Sequence, residues 1–193
     1  MKSALAVFCV AMHLYATPLL LLVGSSRPGG DIHTAEINRG LRNIFDMSSE
    51  VTLLSEHSSS LLKRQFYHNG KFRMDEGLFS FTRQEIQNEG YILLAVVEEF
   101  SLEPTRRIAF SPVVRHEGVY SIRYVLYDIA VGKPVFATTV TSSVSEVSRI
   151  LLPWKDATYR ARPSAQQRQQ YHTEMVRENL HQAEQLLVPR LEL

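Results

Sequence analysis

A single cysteine, Cys9, occurs in 193 residues, and it sits inside the apolar run at the N-terminus. The rest of the chain therefore has no internal disulfide, no thiol nucleophile and no thiolate metal site. Charge of one sign is equally scarce: 21 Lys and Arg face 20 Asp and Glu with no long basic run, so no footprint for nucleic acid is present. Seven histidines include no HxH or HExxH pattern, and the serines and glycines form no GxSxG, GxxxxGK[ST] or GxGxxG. These absences leave no metal, cofactor or nucleophile signature. What remains is ordinary globular material, 45% hydrophobic and 21% charged, in an amount that suits one domain.

The apolar residues concentrate first in "LYATPLLLLVGSS" and in the stretch before it. Lys2 gives a positive start, residues 4–12 have the length of a signal h-region, and Leu14-Tyr15-Ala16 ends in a small residue suited to cleavage. Residues 1–16 therefore read as a secretion signal, which makes the mature chain 17–193 and places it in the periplasm. The alternative is an uncleaved inner-membrane anchor over residues 3–24, which would have to carry His13 and Pro18 in mid-span. Cys9 does not read as a lipidation site, because Phe8 stands where such signals carry a small residue.

With the boundary at Ala16, residues 19–23 become a buried strand closed by glycine, serine and proline. Ile37, Leu41, Ile44 and Phe45 follow at helical spacing, with Asp31 or Thr34 as N-cap. Residues 51–54 form a second short strand, and 58–66 two helical turns with Leu61, Leu62 and Phe66 inward, stopped at Asn69-Gly70. Thr82 and Glu85 have the spacing of a capping box opening a short helix that Gly90 ends. Residues 91–97 are apolar on both sides, as a central strand requires. In 119–127, Tyr120, Ile122, Tyr124 and Leu126 share one face and Ser121 and Arg123 the other; Gly132 turns the chain, and 135–140 returns. Ser164 and Gln167 cap a final helix over 164–190. This order predicts an α/β (α+β) domain: a single mixed sheet of about five strands with helices packed on it.

Few side chains gather into candidate sites. Strand alternation sends the adjacent Glu98 and Glu99 to opposite faces, so they make no acid/base pair together. Gly29-Gly30 reads as a turn, and Ser58, Ser59 and Ser60 as loop or cap. If residues 102–118 fold back as a ribbon, Arg106, Arg107, Arg115, Tyr120 and Tyr124 come together as a partner-binding surface of residue types favoured at interfaces. A rival reading is a small secreted hydrolase that pairs Glu98 or Asp128 with His116.

The element order and the strings "PLLLLVGSS", "INRGLRNIF", "SSEVTLLSE", "NEGYILLAVVEEFSL" and "YSIRYVLYDIAVGKPVF" resemble a family of bacterial envelope domains. Its members include the TolB N-terminal domain, CsgG, LpoB and the middle domain of FlgT. The resemblance spans about residues 17–190 and departs from the family in the long "HNGKFRMDEGLFSF" segment. It implies a non-enzymatic accessory or scaffold protein that binds envelope proteins or copies of itself, without cofactor or nucleic acid, and associates peripherally with membrane or cell wall. Shared fold alone does not establish shared task.

Overall fold

Leu19, Leu20, Leu21 and Leu22 lie at 0–1% exposure in strand β1 (Thr17–Ser25). Both faces of that strand are covered, which explains why its sequence is a continuous apolar run and not an alternation. In this computed structural model residues 16–26, 31–86, 89–105, 113–149 and 163–191 are described. Residues 1–15, which include Cys9, and Gly29, Gly30, Arg106 and Arg107 lie outside them.

Helix α1 (Asp31–Asp46) returns the chain to β2 (Val51–Leu53), parallel to β1 on one side. Helices α2 (Glu56–Phe66) and α3 (Glu76–Ile86), separated by the two-residue strands β3 (Tyr67–His68) and β4 (Lys71–Phe72), then lead to β5 (Tyr91–Thr105), parallel to β1 on its other side. Antiparallel β6 (Val113–Asp128) and β7 (Lys133–Arg149) complete a five-stranded mixed sheet in the order β2-β1-β5-β6-β7, with β5 central as its sequence predicts. The last helix, α4 (Ala165–Leu191), packs beside α1.

Two cores result. Leu19, Leu21, Val23, Leu93, Ala95, Tyr120, Ile122 and Tyr124 face α1 and α4, whereas Leu20, Leu22, Ile92, Leu94 and Val125 face α2 and α3. Each leucine so buried stabilises the fold by roughly 2 kcal/mol relative to exposure. Gly40 brings α1 and α4 together: a Cβ there would stand 2.2 Å from Leu180 Cδ1. Ser164 and Gln167 cap α4 reciprocally, each side chain accepting the other's backbone N–H at 3.1 and 2.9 Å.

Several local expectations change. Asp75 caps α3 by accepting the Leu78 N–H at 3.2 Å, so the helix starts well before Thr82; that threonine is an interior residue whose hydroxyl donates to Leu78 O at 2.8 Å. Asn69 and Gly70, both at positive φ (51° and 75°), form the turn of a β3–β4 hairpin. Leu61 points outward at 40% exposure. Of the 102–118 segment, the described residues 102–105 and 113–118 extend β5 and β6 themselves, pairing Leu102 with Gly118 and Thr105 with Arg115. Strand β7 outruns its predicted end because its later residues are rich in Ser and Thr, which complete a ladder without adding apolar alternation.

A single irregularity interrupts the β5–β6 ladder. Register passes from Val97↔Ile122 to Glu99↔Ser121, which makes Glu98 the extra residue of a β-bulge. Alternation therefore breaks at the two glutamates. Phe100 turns to the α1/α4 side, directly opposite Tyr120, where an unbroken strand would send it to the other face.

Candidate functional site

From β1 the chain crosses through α1 to β2 on one side and returns through α2 and α3 to β5 on the other. The crevice outside the carboxyl ends of β1 and β5 is therefore a topological switch point, where open α/β sheets bind ligands. A cavity of about 970 Å³ lies there, lined by His33, Glu36 and Arg39 of α1, Phe100 of β5, and Arg168 and His172 of α4.

Rings form its inner wall. The His33 and His172 centroids are 4.3 Å apart with planes tilted by 36°, and His33 lies 4.7 Å from Phe100. Below them Tyr120, at 0% exposure, meets Phe100 edge-on at 5.8 Å and His172 at 5.5 Å. Nδ1 of His172 stands 3.3 Å from Glu36 Oε2. Its Nε2 and the Tyr120 hydroxyl are buried without a hydrogen-bond partner among the described residues.

Burial lowers the His172 pKa below the ordinary histidine value; His33 beside it adds to the fall and Glu36 opposes it. Burial likewise lowers His33, again against Glu36. A neutral His172 contacts the carboxylate best by donating from Nδ1, which leaves Nε2 as an acceptor facing inward. Burial pushes the Tyr120 phenol upward, so it stays protonated. Among the described residues neither Arg39 nor Arg168 has an ion-pair or hydrogen-bond partner for its guanidinium. Both stand at the cavity wall. No group of three or more His, Cys, Asp or Glu among the described residues is arranged to hold a metal ion.

The residues singled out by sequence fare differently. Tyr124, like Tyr120, is at 0% exposure beneath α4, so both tyrosines are core side chains and not partner-facing ones. Arg115 is half-buried on β6 and lies 3.7 Å from Glu117. Odd-numbered residues of that strand face away from the tyrosines, so Arg115 does not join them. The hydrolase candidates stay apart as well. Asp128 and His116 stand twelve positions apart on β6, about 40 Å along the strand. Glu98 lies 4.0 Å from Arg123, on the face opposite buried His116. Sequence reasoning misses His33, Phe100 and His172 because they converge only through the crossover and the bulge; no spacing between them signals it.

No protein-family model matches the sequence, and no curated protein matches it. Among the described residues no helix is long and apolar enough to cross a membrane. Solved structures do match. The chain is similar to the hypothetical protein CT253 from Chlamydia trachomatis, at 14% identity and a TM-score of 0.50 over 87% of this chain and 95% of that one. Weaker likenesses are to lipoprotein GNA1162 from Neisseria meningitidis (12% identity, TM-score 0.43, 67% and 83% of the two chains) and to the LpoB C-terminal domain from Escherichia coli (18%, 0.41, 68% and 84%). What the chain shares with the Chlamydia protein is its fold.

Proposed function

We propose that the chain is a non-enzymatic accessory or scaffold domain of a Gram-negative cell envelope, exported by its N-terminal segment, which binds another envelope protein along the outer edge of β7. That edge carries the reading. β7 is the last strand of the sheet, runs for 17 residues, and has no described strand on its outer side. Its only charges are Lys133, Glu146 and Arg149, and Ala137, Thr139, Thr141, Ser143 and Ser145 are all exposed. Long edge strands offer a row of backbone N–H and C=O groups to an incoming strand, and proteins commonly block them with charge, proline or a bulge. Here the middle of the strand has no such block, so strand addition fits. The sequence resemblance to envelope domains and the readable signal of residues 1–16 support the compartment.

Affinity capture from envelope fractions tests the proposal with the wild-type chain and a Thr139→Lys/Ser143→Lys double variant. The expected result is an envelope protein held by the wild type and lost with the variant. Equal capture by both, or fractionation of the wild type with the cytosol, contradicts it. Recovery of the chain itself identifies a homo-oligomer built on the same edge.

A further inference from the structure

We infer that the cleft between α1 and α4 at the carboxyl end of β1 is a binding site for a small molecule bearing a carboxylate or phosphate on a flat or apolar body. Its location is the first reason: the switch point is where a doubly crossed sheet leaves a crevice that neither neighbouring crossover fills. Size is the second. About 970 Å³ falls within the range of small-molecule sites, which run from roughly 300 to 1,000 Å³.

The chemistry of the wall selects the ligand. Arg39 on α1 and Arg168 on α4 line the cleft with guanidiniums unpaired among the described residues. Glu36, the one carboxylate among the described lining residues, is already engaged by His172. The described wall therefore carries net positive charge. Two guanidiniums from different helices suit an oxyanion, which can accept from both forks at once. Beside them His33 and Phe100, 4.7 Å apart, present ring surface for a planar or apolar group. A bare anion leaves that surface wet; a neutral aromatic leaves the arginines unanswered. Both halves are needed. The cleft is separate from the β7 edge, which lies at the far side of the sheet from β1, so either site can fail without the other.

The test titrates the full chain with benzoate and phenyl phosphate, and with inorganic phosphate and benzyl alcohol as the two halves, following the His33 and His172 ring signals by NMR. Saturable shifts are expected with at least one aromatic anion, which also tells carboxylate from phosphate as the preferred head. Inorganic phosphate should bind at least about tenfold more weakly, and benzyl alcohol should not saturate. Arg39→Gln and Arg168→Gln should each weaken binding about tenfold, whereas Arg64→Gln, exposed on α2, should leave it unchanged. Absence of saturable shifts with both aromatic anions, or undiminished affinity in the two cleft variants with their folds intact by circular dichroism, overturns the inference.

Discussion

Tyr124 donates its hydroxyl hydrogen bond to Asn179 Oδ1 at 2.9 Å, at a point in the core where both residues have 0% exposure. The amide nitrogen of Asn179 then donates to Val140 O at 2.7 Å. One asparagine thus ties α4 to both β6 and β7, and its polar atoms are answered although it sits among apolar side chains. Buried polar groups are tolerated on that condition.

Replacing Asn179 with leucine leaves the Tyr124 hydroxyl and the Val140 carbonyl without their side-chain partner, at about 1–3 kcal/mol for each group. We expect Asn179→Leu to cost about 2–4 kcal/mol and Tyr124→Phe about 1–2 kcal/mol, read from urea midpoints. A neutral or stabilising Asn179→Leu would show that α4 is held by its apolar stripe alone.

Deletion of Glu98 should remove the bulge and restore simple alternation in β5. Val97, Glu99 and Phe100 then alternate without a break, so Phe100 stays opposite Tyr120 and the ring contacts of the cleft persist. The expected readout is a folded chain whose His33 and His172 NMR signals are little changed. Loss of the ring contacts in a folded deletion would mean that the bulge does more than absorb the extra residue.

Histidine burial sets a pH dependence. His33 and His172 have folded-state pKa values below the ordinary histidine value of 6.5. The unfolded chain therefore takes up these protons first as pH falls through about 6.5, and stability drops until the folded-state values are passed. Urea midpoints at about pH 7.5 and about pH 5.5 should show this loss, and His172→Gln should show less of it. A wild type that gains stability on acidification would put Glu36, which favours protonated His172, in control.

The N-terminal boundary makes Leu21 informative, since it lies at 1% exposure in β1 and also within the alternative anchor over residues 3–24. Leu21→Asp should destabilise the domain by more than about 4 kcal/mol, because a carboxylate then sits unpaired in the core. Export should persist, followed by degradation in the periplasm, as fractionation and protease sensitivity would report. Blocked export of a stable, folded chain would instead favour the anchor.

Features legible in the sequence are those written locally. The leucine run of β1, the two-sided apolar stretch of β5, the turn at Gly132 and the Ser164–Gln167 box each declare themselves within a few residues. Competing local signals are harder to separate: Asp75 and Thr82 both offer caps, and only packing makes Thr82 an interior residue. Asn69-Gly70 serves equally well as a helix stop or a hairpin turn. The cleft is least legible. His33 and His172 are 139 positions apart, and Phe100 joins them only because one extra glutamate changes the parity of its strand. Alternation picks out Tyr120, but it does not say that α4 covers it.

The binding role rests on the outer edge of β7, and site-specific photo-crosslinking tests it most directly. With a photoreactive residue at Thr139 in the full chain expressed in a Gram-negative host, we predict a discrete adduct with an envelope protein. The same probe at Glu178, exposed on α4, should give none. Adducts from Glu178 and none from Thr139 would contradict a β7-edge interface.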